Sequence, residues 1–253
     1  MVVQSCIFTI HFPQNAKIRE RIFDLERHFT DFQSPFTLVP LPPDAPLELP
    51  RIIAATPHNH SQLTVCGNSA QLTTHFDSAY CHDVEHCIEY IREKCNRIVS
   101  ALSIMTGDSS PDAKFYYSGL STTLLYDTSD GIEDPVKFIS EKFLNCKSNL
   151  ITDEVQFRLA FVIQGKYYAN ILAQNNRAFF GTPDERGSIA GLKCGDSQLQ
   201  VVLDVNDRYA FNHETNYLSS LNSVSDIASI SEQFATKYID IFLKTGVVSY
   251  DEQ

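Results

Sequence analysis

The sequence predicts an α+β protein of two tandem halves, residues 1–107 and 108–253, each an antiparallel sheet covered by a long helix. Three observations carry this. Residues 83–106 place Val84, Cys87, Ile88, Ile91, Cys95, Ile98, Val99, Leu102 and Met105 at three- and four-residue steps, a single apolar stripe on a helix. Residues 224–245 repeat the pattern with Val224, Ile227, Phe234, Tyr238, Ile241 and Phe242. The segments before each stretch alternate apolar and polar residues, as half-buried strands do. Each half therefore reads strand, helix, three strands, long helix, an order that predicts an internal duplication.

Residues 2–12 put Cys6, Phe8, Ile10 and Phe12 on one face of a strand. Ile18, Ile22, Leu25 and Phe29 then share a helical face. Residues 30–50 hold Pro35, Pro40, Pro42, Pro43, Pro46 and Pro50, so they predict an extended surface connection rather than helix or central strand. Strands are expected over 51–56, 61–66 and 71–76, with turns at 57–60 and 67–68. Asp83 is the expected N-cap of the first long helix, and Gly107 its left-handed terminator.

Residues 107–113 form the expected boundary, and 115–126 the next strand. Pro135 opens a helix with Val136, Ile139 and Phe143 inward. Val155 to Ile163 alternates strictly, Gln164-Gly165 turns the chain, and the pair reads as a hairpin. Residues 175–197 are expected as one long loop. Leu199, Val201, Leu203 and Val205 alternate in the last strand. Ser223 is the expected N-cap of the second long helix, which Gly246 ends.

Of 253 residues, 43% are hydrophobic, with 17 Phe and 11 Tyr, enough for a large core. The formal net charge of -11 repels phosphate backbones, so no nucleic-acid partner is expected. No apolar run reaches the roughly 20 residues of a membrane span, so no membrane partner is expected either. The first twelve residues alternate and read as a strand, not a leader peptide. Seven scattered Cys fit a reducing cytoplasm better than a disulfide framework.

LPRI at Leu49–Ile52, HSQLTVCGNSAQLTTHFD at His60–Asp77, YSGL at Tyr117–Leu120 and VVLDVND at Val201–Asp207 resemble a sporadically distributed family of uncharacterised bacterial proteins of about this length. The resemblance implies a stand-alone cytosolic protein, in some cases encoded in mobile or defence-type gene neighbourhoods. The element order also resembles TATA-binding-protein-like and helix-grip folds, a likeness of topology that carries no function.

Two residue clusters are candidates for chemistry. Asp204, Asp207 and Arg208 end a strong strand, where paired carboxylates bind a ligand or act as acid and base. The competing reading is an Asx-type turn with Arg208 pairing an acid. His58 and His60 in a turn, with His82 and His86 four apart at a helix start, are candidate metal ligands. A solvated helix start explains the latter pair as well, and no HExxH or paired CxxC is present. No cofactor motif occurs: Gly181, Gly187 and Gly191 do not form a phosphate loop, and there is no GxSxG elbow. The expectation is a non-enzymatic binding or assembly module acting as a homo-oligomer or with a protein partner. A metal-assisted hydrolase using the histidine cluster is the alternative.

Overall fold

The computed structural model describes residues 1–42, 44–106, 115–145, 152–183, 185–188, 191–248 and 250, the side chains of 104–106 excepted. The fold is α+β. In chain order the elements are β1 (Val2–His11), a 3-10 turn leading into α1 (Ile22–His28), β2 (Thr37–Leu38), β3 (Ile52–Ala55), β4 (Ser61–Val65), β5 (Ser69–His75), α2 (Val84–Thr106) and β6 (Tyr117–Tyr126). There follow α3 (Pro135–Lys142), β7 (Gln156–Ile163), β8 (Tyr167–Phe180), β9 (Lys193–Asn206), α4 (Arg208–His213), α5 (Leu221–Gln233) and α6 (Ile239–Thr245).

The strands among the described residues form one nine-stranded sheet in the order β2-β3-β4-β5-β1-β6-β9-β8-β7, each pairing antiparallel. The opening strands of the two expected halves, β1 and β6, pair along the centre, Phe8 opposite Leu120 and His11 opposite Tyr117. Outward from that seam the order is β5-β4-β3 on one side and β9-β8-β7 on the other.

Strand alternation sorts side chains onto two unlike faces. Cys6, Phe8 and Ile10 of β1, Leu120 and Leu124 of β6, and Leu199, Val201, Leu203 and Val205 of β9 are buried under the helices. One core joins these to the stripe of α2 and to Val224, Ile227, Phe234 and Phe242. The opposite face, with Thr9, Ser121, Asp204 and Asn206, is part-exposed. α2 and α5 lie side by side, tied by Arg92 Nη2 to Glu232 Oε2 at 2.6 Å. No helix among the described residues is long and apolar enough to cross a membrane.

Local chemistry sets the element ends. Asp83 caps α2, its Oδ1 accepting the N–H of His86 at 2.9 Å. Asp134 caps α3 through the N–H of Lys137 at 3.0 Å, with Pro135 in the first turn. Gln164 and Gly165, inside the turn closed by the Lys166 N–H on the Ile163 carbonyl at 3.0 Å, both have positive φ, 53° and 60°. Gly246 ends α6 in the left-handed region at φ 75°.

Several expectations change. The N-cap of the second long helix is Ser220, not Ser223; Ser223 supplies the capped N–H, at 3.4 Å. That helix is α5 and α6 joined by one π turn, Phe234–Tyr238. The stretch expected as one loop over 175–197 is strand at both ends: β8 runs to Phe180 and β9 starts at Lys193, pairing Phe180 with Lys193. This ribbon projects with Phe179 and Phe180 exposed, so neither face is buried and no period-two signal marks it. Phe180 instead covers Gly195, where an added Cβ would meet its ring at 2.8 Å. The expected terminator Gly107 and the boundary 107–113 lie outside the described residues.

Candidate functional site

The part-exposed face carries a polar network built on β7, β8 and β9. Asn170 sits opposite Asp204 in the β8–β9 register and is buried. Its side-chain amide donates to Asp204 Oδ2 at 3.0 Å, and Asn206 donates to the same oxygen at 2.9 Å. Arg158 in turn donates to Asn170 Oδ1 at 3.2 Å. Both amides fall on Oδ2, so Oδ1 has no hydrogen-bond partner among the described residues.

Asp204 borders a hollow of about 280 Å³ whose lining includes His11, Tyr117, Gly119, Asn206 and Arg208. The sheet register explains the hollow. Gly119 lies between Thr9 of β1 and Asn206 of β9, so the row across the seam has no side chain at its middle position. A Cβ there would come within 2.9 Å of the Asn206 Cβ. His11 and Tyr117, cross-strand partners, stack with ring centroids 4.3 Å apart. The Arg208 guanidinium carbon lies 5.5 Å from the Tyr117 centroid. α4 flanks this end through Phe211 against Tyr117 at 5.2 Å.

Burial moves the charges here toward neutrality. It raises the Asp204 pKa above the usual carboxylate value, against the lowering effect of the two amides and Arg158. It lowers that of His11, and the nearby positive charge of Arg208 lowers it further. The hollow thus offers a free carboxylate oxygen, a neutral imidazole face and a guanidinium in one place.

Asp207 belongs elsewhere. It is fully buried on the helix side of the strand end, where Oδ1 accepts the N–H of Ser118 at 2.7 Å and Oδ2 the hydroxyl of Tyr217 at 2.9 Å. It fastens the chain after β9 to the start of β6. The strand-end cluster therefore divides: Asp204 and Arg208 meet at the hollow, and Asp207 does not.

The histidines divide too. His60 and His86 line one groove of about 350 Å³, together with His75. His58 stands 6.2 Å from His60, ring to ring, and His82 does not line the groove. Among the described residues no three His, Cys, Asp or Glu side chains are grouped to hold a metal ion. Cys66, beside the turn at Gly67, has its thiol pKa raised by burial, the reverse of an activated nucleophile.

The sequence reading missed His11 and Asn170. His11 and Tyr117 are 106 positions apart, and only the β1–β6 register brings them together. Asn170 is a buried polar residue on the part-exposed face of β8, and its burial shows only in the structure. No protein-family model matches the chain, and no curated protein matches it.

Proposed function

We propose that the protein is a non-enzymatic binding module that takes a small polar ligand on the part-exposed face of its sheet, over Gly119. The observation that supports this is the meeting of the free Oδ1 of Asp204 with Arg208 at one hollow. A carboxylate fixed by two amides accepts a hydrogen-bond donor, and a guanidinium accepts an anion. The fitting class is a small molecule carrying an amine or amide donor and a carboxylate or phosphate. The mirrored strand order about the β1–β6 seam supports an internal duplication, with the ligand seated beside the seam. The net charge of -11 speaks against a nucleic-acid ligand.

The test is a thermal-shift panel of amino acids, aminocarboxylates and phosphorylated amines. At least one member should stabilise the wild type and lose its effect in Asp204→Asn and in Arg208→Ala. A panel that shifts nothing, or shifts the variants equally, overturns the reading.

Assembly into a homo-oligomer is a second reading, favoured by the β7 edge. Edge strands are normally short or carry Pro, Lys or a bulge. β2 is two residues long beside a proline-rich segment, whereas β7 has eight residues, no Pro or Lys, and Leu159 and Val162 exposed. Light scattering should give a dimer that Val162→Lys dissociates; a monomeric wild type removes this reading.

A further inference from the structure

The groove that gathers His60 and His86 is walled by aromatic rings rather than by ligands, and that composition points to a different occupant. Phe76, Tyr80 and Tyr90 line it with Asp77, and among the described residues no Lys or Arg does. The connection from β5 to α2 builds it. Asp77 Oδ1 accepts the N–H of Ala79 at 2.9 Å and its carbonyl accepts that of Cys81 at 2.9 Å, folding residues 77–81 into a turn. The turn presents Tyr80, which stacks on His86 with centroids 5.4 Å apart. Phe76 meets Tyr90 edge to face at 6.3 Å, and the Tyr90 hydroxyl is held by Ser61 at 3.1 Å. Two of the three rings are thereby fixed from inside the fold.

From this geometry we infer that the groove binds an alkylated ammonium cation, such as a trimethylammonium group. Aromatic faces carry negative quadrupole potential and attract cations, most strongly those with a weakly held hydration shell. Tyr90 already receives one: Lys94 Nζ lies 5.0 Å from its centroid and pairs with Asp31, which Arg97 shares. Asp77 supplies a carboxylate at the groove. A space of about 350 Å³ has room for a methylated ammonium. The site is separate from the hollow over Gly119 and does not depend on it.

The experiment is isothermal titration of the full chain with choline and with 3,3-dimethylbutan-1-ol, its uncharged counterpart of the same shape. Choline should bind saturably, and the neutral alcohol roughly 3- to 30-fold more weakly, the range expected for cation–π recognition. Tyr80 is 53% exposed, so Tyr80→Ala should fold, and it should weaken choline by about tenfold while Tyr80→Phe keeps most of the affinity. Asp77→Asn, which retains an acceptor for the Ala79 N–H, should weaken choline and leave the alcohol unchanged. Asp204→Asn should leave choline binding intact, which separates this site from the other. Absence of saturable choline binding, equal binding of the two probes, or indifference to Tyr80→Ala overturns the inference.

Discussion

The Asp207 carboxylate accepts the backbone N–H of Ser118 at 2.7 Å across 89 residues of sequence, with no part of its side chain open to solvent. The bond runs from the strand end of β9 to the second residue of β6. Removing it leaves a buried N–H and the Tyr217 hydroxyl without their acceptor. Asp207→Ala should therefore cost about 2–4 kcal/mol, read as a lowered urea midpoint. Asp207→Asn keeps an acceptor for Ser118 and should cost less. Equal, small losses for both would show that the carboxylate is not the fastening.

Burial raises the pKa of both aspartates, and Asp204, whose Oδ1 has no hydrogen-bond partner among the described residues, is the one a titration tests. Burial raises its folded pKa, so the folded chain favours the protonated carboxyl. A carboxyl with a raised folded pKa contributes stability that is fully present below its ordinary value and is lost as pH rises through the raised one. Asp204→Asn is neutral throughout and escapes that loss. The melting temperature of the variant relative to wild type should rise between about pH 4 and pH 7. A variant that loses ground over that interval would mean that the charged form is the stabilised one.

The contrast between these two aspartates marks what sequence can and cannot display. The helices were legible because Val84 to Leu102 and Val224 to Phe242 carry their burial pattern within one segment. The buried faces of β1 and β9 were legible for the same reason. The site was half legible. Asp204 and Asp207 looked alike as polar residues ending a strand, but odd spacing sends one to each face of the sheet. Which face the long helices cover depends on where α2 and α5 pack, and no local pattern records it. Likewise His60 and His86 share a groove because β4 pairs with β5 beneath α2, and what lies between them is aromatic.

The cysteines give a separate check. Burial pushes the thiols of Cys6 and Cys87 up to about 12 and that of Cys95 well above its usual value, whereas Cys194 is exposed. Thiolate is the reactive form, so in a Cys146→Ser background a thiol reagent at neutral pH should label Cys194 and spare Cys6, Cys87 and Cys95. Peptide mapping by mass spectrometry reads the result. Labelling of Cys95 without denaturant would mean that α2 lifts from the sheet under native conditions.

Unfolding should be a single event despite the two-part order of elements. β1 and β6 pair over nine residue positions at the centre of the sheet, and the core on the helix side is continuous across them. The Arg92–Glu232 pair adds a tie between the long helices, worth about 0.5–1 kcal/mol in a double-mutant cycle because both side chains are partly exposed. Separating the halves would bare β1 and β6 as long, unprotected edges and open the shared core to water. Fragments 1–106 and 115–253 made alone should therefore aggregate or stay unfolded, while co-expression should recover a soluble pair. Calorimetry of the full chain should show one transition, with calorimetric and van't Hoff enthalpies in agreement. Two resolved transitions, or a first fragment that folds alone, would show that the seam joins two independent units rather than one sheet.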